Sequence, residues 1–264
     1  MSLTGFLKQS SEIRLALKDT FPYKLKQGSF PAIQAPPLTQ NYAMVGQAFD
    51  YLLRFYMQRE NPSVPQESHW VANWIRMDSV ISDEEDQKEL ELEVSARPFL
   101  EQAHTHHEAY LINGEITDAL LASCLDLAII DGIVRVGELR GPLGGADPKD
   151  IQDLRNLFAI IPSTPFLNEN PCLLNPVFQF PSGADCDLLV GNTLIEIKTT
   201  KFSYLQQEHY QQLLGYYLLN LSNRKNPYGI QNIGIYFSRH GYLWSVSVDD
   251  IGGKEAFSQF LPCL

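Results

Sequence analysis

Paired cysteines, long apolar runs and low-complexity segments are all missing from this sequence of 264 residues. Its four cysteines include no Cys-x-x-Cys pair, which argues against a zinc or iron–sulfur centre and predicts four reduced thiols. The longest apolar run, Ala119–Ile130, is interrupted by Asp126 and is too short to span a bilayer. The first residues lack the charged start and apolar stretch of a secretory signal. A cytoplasmic protein with no membrane partner is therefore expected.

Basic residues are also scarce, because 20 Lys and Arg stand against 31 Asp and Glu, for a net charge of −11. Proteins that grip nucleic acid usually present Lys and Arg to the phosphates, so this balance argues against such a partner. The acids are concentrated, however, between Asp83 and Glu93, a segment that contains seven acidic residues and a single basic residue, Lys88. Between Glu196 and His240 five bases outnumber two acids. That part of the chain therefore has the positive charge that binding to a phosphate backbone requires.

Helical patterns dominate the first part of the chain. Residues Tyr42–Glu60 repeat apolar side chains at helical spacing, and Pro62 closes the predicted helix. Asp147 followed by Pro148 is typical of a helix start, and this helix is predicted to reach about Ile161. Further helices are predicted near Glu12–Lys18 and over His69–Ile81. The acidic run after Ser82 is either a continuation of the second of these or a new helix capped by Ser82. Helical spacing also extends over His104–Ile130, on both sides of a turn at Asn113-Gly114.

After Pro176 the pattern changes to short β-strands, following a Pro- and Asn-rich stretch, Pro162–Pro176, that is predicted to be a connection. One helix, Tyr204–Leu221, is expected among the strands, with Ser203 and Gln206 as a capping box. The predicted strands are Val177–Phe180, Asp185–Val190, Thr193–Lys198, Gly234–Ser238 and Tyr242–Val248, the last two joined by a turn at Arg239-His240-Gly241.

A two-residue hairpin turn at Gly191-Asn192 fixes the predicted pairing of the second and third strands. Counting back from the turn sets Asp187 opposite Glu196 and Asp185 opposite Lys198. Because strand side chains alternate with a period of two, all four should project from one face. The opposite face is expected to pack into the core through Leu188, Val190, Ile195 and Ile197.

Paired carboxylates on a hairpin face suggest a divalent-ion site. Residues directly opposite each other lie about 5 Å apart at Cβ, close enough for Asp187 and Glu196 to share one ion. Mg²⁺ favours a few carboxylate oxygens together with waters and substrate phosphate. A lysine two residues from Glu196 can orient a water or stabilise phosphate charge. The alternative is an exposed hairpin face whose charges are simply solvated.

The segment Glu196-Ile197-Lys198 resembles the acidic-x-Lys element of the PD-(D/E)XK nuclease superfamily. Asp187 best matches the aspartate of the preceding strand in that family, and Asp185 is the competing candidate. Cys186 stands where the family often has proline. The next helix carries Gln212-Leu-Leu-Gly-Tyr216, which is similar to the Gln-x-x-x-Tyr element of the RecB-like exonuclease branch.

A further likeness concerns the helix predicted at Tyr42–Glu60. RecB-like enzymes often carry Gly-x-x-x-His near the metal, and this helix has Gly46-Gln-Ala-Phe-Asp50, with Asp in place of His. Asp50 is accordingly a candidate metal ligand or neighbour of one, or else an ordinary polar residue at the edge of the apolar stripe of this helix. The resemblance covers Pro176–Asn220 and, less completely, Asn41–Glu60. Residues Asn61–Asn175 show no likeness to the family.

The resemblance implies a restriction-endonuclease-like α/β fold, in which helices flank a mixed β-sheet. Residues 1–264 would form a single nuclease-like domain, with residues 1–165 as a mainly helical elaboration and residues 176–264 as the catalytic core. The implied activity is hydrolysis of nucleic-acid phosphodiesters, with DNA the expected substrate. The implied metal ligands of Mg²⁺, or Mn²⁺ in its place, are Asp187, Glu196 and Asp50; Lys198 and Gln212 complete the catalytic set, and Tyr216 and Lys201 would contact the substrate.

Alternatives remain open at this point. The acidic net charge favours a nucleic-acid-binding or assembly protein whose nuclease site is vestigial. Arg239 and His240, in the predicted turn, are candidate phosphate contacts, although turns favour polar residues anyway. The cluster of His104, His106, His107 and Glu108 suggests a metal site, but neighbouring ligands on one short segment cannot all face one ion. A solvated or helix-edge stretch is the preferred interpretation of that cluster.

Overall fold

The computed structural model describes residues 3–21, 30–61, 64, 70–74, 84–136, 141–161, 171–180, 184–202, 204–222 and 228–260. The helices are α1 Leu3–Gln9, α2 Ser11–Thr20, α3 Tyr42–Glu60, α4 Glu84–Asn113, α5 Asp118–Val136, α6 Pro148–Phe158, α7 Gln207–Ser222 and α8 Gly253–Phe260. The strands are β1 Cys172–Leu174, β2 Val177–Phe178, β3 Ala184–Asp185, β4 Leu188–Val190, β5 Thr193–Lys198, β6 Asn232–Phe237 and β7 Tyr242–Ser247.

The chain forms two compact units. The sheet unit contains residues 1–33, 164–198 and 202–264, and the helical unit contains residues 34–163 and 199–201. No helix in the described part of the chain is long and apolar enough to cross a membrane. The prediction of one nuclease-like domain over residues 1–264 stays a prediction.

In the helical unit, α3 begins at Tyr42 and ends at Glu60, as predicted. Its buried side chains include every residue from Tyr51 to Gln58, so this helix lies at the centre of the unit. Polar groups also link α3 to α5, because Asp131 accepts hydrogen bonds from the Tyr51 hydroxyl (2.5 Å) and from Gln47 Nε2 (3.1 Å). These two bonds satisfy a carboxylate that burial would otherwise penalise.

Of the other helical predictions, two are confirmed and one is wrong over the residues that the structure describes. Asp147 caps α6 by accepting a hydrogen bond from the backbone N–H of Lys149, as predicted, and the helix ends at Phe158. The turn between α4 and α5 is confirmed, with Gly114 at a φ of 72°. The helix predicted at His69–Ile81 is wrong over Val71–Trp74, which form a 3₁₀ turn, and its other residues except Trp70 lie outside the described residues. Ser82, the predicted cap, also lies outside them, and most of the acidic run lies within α4.

The sheet unit is built on a mixed five-stranded sheet in the order β1-β4-β5-β6-β7. Strands β5 and β6 are parallel, and the other neighbouring pairs are antiparallel. Parallel neighbouring strands must be joined by a long crossover connection. Helix α7, which lies between β5 and β6 along the chain, forms this connection. This arrangement confirms the α/β class, a mixed sheet with helices, and leaves the restriction-endonuclease-like fold as a proposal.

The hairpin between β4 and β5 has the predicted register. Val190 pairs with Thr193 and Leu188 with Ile195, and Gly191 has a φ of 59°, which glycine adopts without strain. The predicted strand Asp185–Val190 is nevertheless broken in two. Asp185 pairs with Val177 in a separate two-stranded sheet, so the prediction that it lies opposite Lys198 is wrong.

Tertiary bonds cause the break before β4. The backbone carbonyl of Asp187 accepts from the N–H of Asn175, and the N–H of Cys186 donates to the carbonyl of Pro176. Both bonds tie the chain to the segment that follows β1, which itself pairs with β4. Strand β1 was missed because it is only three residues long and lies in the stretch predicted as a connection.

The rest of the sheet unit follows the predicted order with shifted ends. Strands β6 and β7 begin at Asn232 and Tyr242, and a 3₁₀ turn at Ser238–His240 joins them, with Gly241 at a φ of 56°. Helix α7 begins at Gln207, three residues later than predicted, and Ser203 of the capping box lies outside the described residues.

Two N-terminal helices pack on α7. The helix predicted at Glu12–Lys18 is confirmed within α2, whereas α1 was not predicted. Close approach of α1 depends on Gly215, because a Cβ at this position would lie 3.1 Å from Cδ2 of Leu3. The N-terminal helices therefore reach the part of α7 that carries Gln212 and Tyr216.

The histidine cluster of α4 is not a metal site in this structure, because each ring has a different partner. His104 stacks on Trp70, with ring centroids 4.1 Å apart, and His106 Nδ1 lies 2.8 Å from the Ser123 hydroxyl. His107 stacks on Phe55 and places Nε2 2.8 Å from Gln58 Oε1. The prediction of a solvated stretch is wrong for His107, which is buried among these aromatic rings.

We predict that protonation of His107 destabilises the fold. Burial, followed by the charge of His104, lowers the pKa of His107 to about 4. The unfolded value is about 6.5, so the stabilisation by the neutral ring is complete above that pH and is lost as the pH falls toward 4. Between pH 7 and pH 5 the free energy of unfolding should fall by about 2 kcal/mol on this account.

Chemical denaturation of the wild type and of His107→Gln at both pH values measures this effect, because the variant lacks the titrating ring. The pH-dependent loss should be smaller in the variant. An NMR titration of the His107 ring with a midpoint near 6.5 would contradict the prediction.

Candidate functional site

Strand β5 carries the two charged residues at the centre of the candidate site. It lies third in the five-stranded sheet, hydrogen-bonded to β4 on one side and to β6 on the other. Glu196 and Lys198 are two residues apart and therefore share one face of the strand. Both contact Gln212 of α7, so this face is the one that the helix covers.

Three side chains form a closed hydrogen-bonded triangle. Lys198 Nζ donates to Glu196 Oε1 at 2.8 Å and to Gln212 Oε1 at 3.2 Å. Gln212 Nε2 donates in turn to Glu196 Oε1 at 2.9 Å. Glu196 is 5% exposed and the Lys198 side chain 22% exposed, so the ion pair is largely removed from water.

Tyr216 extends this triangle along α7. Its hydroxyl oxygen lies 3.1 Å from Gln212 Nε2 and accepts the second hydrogen of that amide. Burial, followed by the charges of Glu196, Cys186 and Asp187, raises the pKa of Tyr216, so the hydroxyl stays protonated at neutral pH. The spacing of four residues between Gln212 and Tyr216 places both on one helix face, as predicted.

Asp187 joins the cluster from the bend that precedes the neighbouring strand, β4. Its Oδ2 accepts a hydrogen bond of 2.6 Å from the backbone N–H of Ile197, between Glu196 and Lys198. Continuing the hairpin register by one residue sets Asp187 opposite Glu196, although Asp187 stands at the bend before β4. The structure thus brings together Asp187, Glu196, Lys198, Gln212 and Tyr216.

The thiol of Cys186 lies beside the carboxylate of Glu196. This thiol is buried, with Sγ 3.2 Å from the Ile195 carbonyl and 3.9 Å from Glu196 Oε2. Burial, followed by the charges of Glu196 and Asp187, raises the pKa of the thiol. The thiol is therefore neutral and forms part of the floor of the site.

Opposing effects set the charge of Lys198. Burial alone would lower its pKa, but the carboxylates of Glu196 and Asp187 favour the charged form and raise the pKa above its ordinary value. Lys198 is therefore an ammonium group at neutral pH. It can donate hydrogen bonds to a water or a phosphate oxygen but cannot accept a proton.

The donor chemistry of this site suits Mg²⁺, although no complete metal cage is present. Among the residues that the structure describes, no group of three or more His, Cys, Asp or Glu side chains is arranged to hold a metal ion. Mg²⁺ commonly takes one or two carboxylates and completes its shell with waters and substrate phosphate. Asp187 and Glu196 supply that number, and Glu196 Oε2 lies 3.9 Å from the weak thiol donor of Cys186.

Asp50, the third predicted metal ligand, belongs to the helical unit. Its Oδ2 forms a 2.6 Å ion pair with Arg54, and its Oδ1 is buried with no hydrogen-bond partner in the described part of the chain. Gly46, one turn earlier, faces Thr199, because a Cβ at Gly46 would lie 3.5 Å from the Cβ of that residue. A metal-binding role for Asp50 stays a prediction.

The predicted phosphate contacts differ in accessibility. Lys201 is exposed and places Nζ 5.3 Å from the centroid of the Tyr42 ring, and its contact with substrate stays a prediction. Arg239 and His240 are 1% and 2% exposed, and His240 Nδ1 lies 3.0 Å from the Pro31 carbonyl. Because both side chains are buried, the suggestion that they contact phosphate is wrong.

A basic pocket beside Lys198 was missed at the level of sequence. It has a volume of about 220 Å³ and adjoins the triangle through Lys198 and Gln212. Lys8 and Arg14 reach it from helices far away in the chain, so no local spacing indicates them. His209 could have been found, because it lies three residues before Gln212 on α7, within one helical turn.

Comparison of the chain with protein-family models, with curated proteins and with solved structures returns no match. The case for any function therefore depends on the geometry described above.

We predict that replacing Glu196 by glutamine lowers the pKa of Lys198. The charge that raises this pKa most is removed, whereas the burial that lowers it remains. NMR titration of ¹³C-labelled lysine side chains measures the shift. Glu255→Gln, an exposed change on α8 of the same unit, is the matched control and should leave Lys198 unaffected. An unchanged Lys198 titration in Glu196→Gln would show that the ion pair does not form.

Proposed function

We propose that this site hydrolyses phosphodiester bonds of nucleic acid, with DNA as the expected substrate, in a reaction that depends on Mg²⁺ or Mn²⁺. The observation that carries the proposal is the convergence of two carboxylates, an ammonium group and an amide around β5. Asp187 is bonded to the backbone beside Glu196, and Gln212 holds both Glu196 and Lys198. A solvated hairpin face would need no such set of mutually bonded side chains.

The carboxylates of Asp187 and Glu196 would hold the divalent ion. When bound, such an ion lowers the pKa of a coordinated water and neutralises charge on the phosphate. Glu196 is fixed for this task, because its Oε1 accepts two hydrogen bonds and its side chain is buried. Asp187 is fixed through the backbone of Ile197. Both ligands are thus positioned before the ion arrives.

Lys198 acts as a charged donor in this proposal. Its hydrogen bond to Glu196 favours the charged form of Nζ and raises its pKa, which suits it to donate hydrogen bonds. Its ammonium group can orient the attacking water and stabilise the negative charge that develops on the phosphate oxygens. Gln212 Oε1 directs Nζ, so Gln212 positions both charged partners at once.

Tyr216 supports the site through Gln212. It is 5% exposed, and its hydroxyl bonds to the amide that holds Glu196. Its contribution to substrate binding therefore passes through the orientation of Gln212. Lys201, which is exposed and follows Lys198 by three residues, remains the proposed phosphate contact.

The proposal is tested by incubating labelled single- and double-stranded DNA and RNA with the purified protein, with Mg²⁺, Mn²⁺ or EDTA. Wild type should cleave only when the metal is present. Asp187→Asn and Lys198→Gln should each lower the rate by about 10²-fold or more, because each removes a charge that acts in the transition state. Asp185→Asn is the matched control, since Asp185 pairs with β2 and lies outside the triangle.

Loss of cleavage in Asp185→Asn, with cleavage retained in Asp187→Asn, would overturn this assignment of the metal ligands. A second candidate is a nucleic-acid-binding or assembly protein on this fold whose nuclease site is vestigial. Salt-dependent binding by the wild type, with no cleavage in either metal, would support that candidate instead.

A further inference from the structure

The basic pocket adjoins Lys198, and α1, α2 and the start of α7 supply its other walls. Its volume of about 220 Å³ lies below the roughly 300–1,000 Å³ of pockets that enclose whole small-molecule ligands. It therefore suits a single compact group. The lining residues that matter for binding are Lys8, Arg14, Lys198, Glu208, His209 and Gln212.

Charge in the pocket is predominantly positive. Lys8, Arg14 and Lys198 supply three cationic side chains, of which Lys198 is already paired with Glu196, and Glu208 supplies the one carboxylate among the lining residues. This excess contrasts with the chain as a whole, which carries a net charge of −11. An anion of small size is the ligand that such a lining favours.

One further feature points to a ligand that forms hydrogen bonds. His209 Nδ1 is buried and has no hydrogen-bond partner among the residues that the structure describes. A buried polar atom without a partner is costly, and a bound oxygen or a water satisfies it. In addition, Gln211 Nε2 donates to the backbone carbonyl of Arg14, which fixes α2 against α7 at the pocket. The cationic wall is thus held in place by the protein itself.

We propose that this pocket binds the terminal phosphate monoester of a nucleic-acid strand, so that cleavage is directed to strand ends. The proposal rests on the proposed nuclease function and names its substrate class. A terminal monoester carries a charge of about −1.5 to −2 at pH 7 and offers three acceptor oxygens, whereas an internal phosphodiester carries only one charge. Lys8 and Arg14, with Lys198 beside them, can donate to several of these oxygens at once, so the lining suits the monoester better.

Lys198 links the pocket to the site of hydrolysis. Its side chain lines the pocket, and its Nζ also bonds to Glu196 and Gln212. A phosphate in the pocket therefore lies next to the group that would act on the scissile bond. A strand held in this way presents a bond close to its end, and the products should be short.

The test measures binding without metal, so that it does not depend on cleavage. Short fluorescent oligonucleotides that carry a 5′-phosphate, a 3′-phosphate or only hydroxyl ends are titrated with the full chain in EDTA, and anisotropy is followed. We expect one of the phosphorylated forms to bind about tenfold more tightly than the hydroxyl form, the change that one charge-assisted hydrogen bond supplies. Which form is preferred identifies the strand end.

Arg14→Gln should remove this preference, because it deletes a cation of the pocket and keeps the backbone carbonyl that Gln211 uses. Lys18→Gln removes the same charge from the same helix at an exposed position outside the lining, and should keep the preference. Lys8→Gln tests the other N-terminal cation if Arg14→Gln does not fold.

Equal affinity of the wild type for all three oligonucleotides, or a preference that survives both Arg14→Gln and Lys8→Gln, would overturn the proposal. The failure of the nuclease function gives a different result, namely a terminal-phosphate preference in EDTA without cleavage after Mg²⁺ is added. Metal-dependent cleavage without a preference for terminal phosphates would support the nuclease function and contradict the proposed role of the pocket.

Discussion

The ion pair between Glu196 and Lys198 is the interaction on which the candidate site depends. Both residues stand on the central strand, and Glu196 is almost fully buried. Removing a carboxylate from water costs several kcal/mol unless it is paired and hydrogen-bonded, and Lys198 and Gln212 together meet that need. Breaking such a pair by removing one partner typically costs about 3–5 kcal/mol. The three side chains therefore hold one another in place.

Stability alone does not account for this arrangement. Replacing a buried ion pair by apolar residues of similar volume is often neutral or stabilising, so a fold has no need to keep charges here. The neighbouring positions of β5, Ile195 and Ile197, are apolar and buried, as the core of a sheet requires. A pair of charges on the face that α7 covers is thus better explained by chemistry than by packing.

The topology explains why α7 can complete the site. Parallel pairing of β5 with β6 requires a crossover, and α7 runs across the face of β5 that carries the charges. The helix brings His209, Gln212 and Tyr216 to that face at spacings of three and four residues. One crossover therefore supplies the amide of the triangle, its tyrosine neighbour and a wall of the basic pocket.

Local features of the sequence were sufficient to predict α3, β5 and the turn at Gly191, because periodicity and turn chemistry act over a few residues. They also placed Glu196 and Lys198 on one face. The break between β3 and β4 could not be predicted in this way, because the alternation of side chains continues through it. Its cause is the hydrogen bond from the backbone N–H of Asn175 to the carbonyl of Asp187. The pocket could not be predicted either, since Arg14 meets Gln211 across almost 200 residues.

The negative net charge of the whole chain and the positive charge of the basic pocket are compatible, because the pocket is only a small part of the molecule. An acidic protein gains little from the counterion release that favours binding along the length of a phosphate backbone, so sequence-independent attachment to long strands is weak. Under the proposed function, the pocket formed by Lys8, Arg14 and Lys198 would still offer a local site to one phosphate group. The same charge distribution would then disfavour internal stretches of a strand and favour contact at its end. In this view the acidity of the chain, which argued against a nuclease at the level of composition, becomes a source of selectivity for termini.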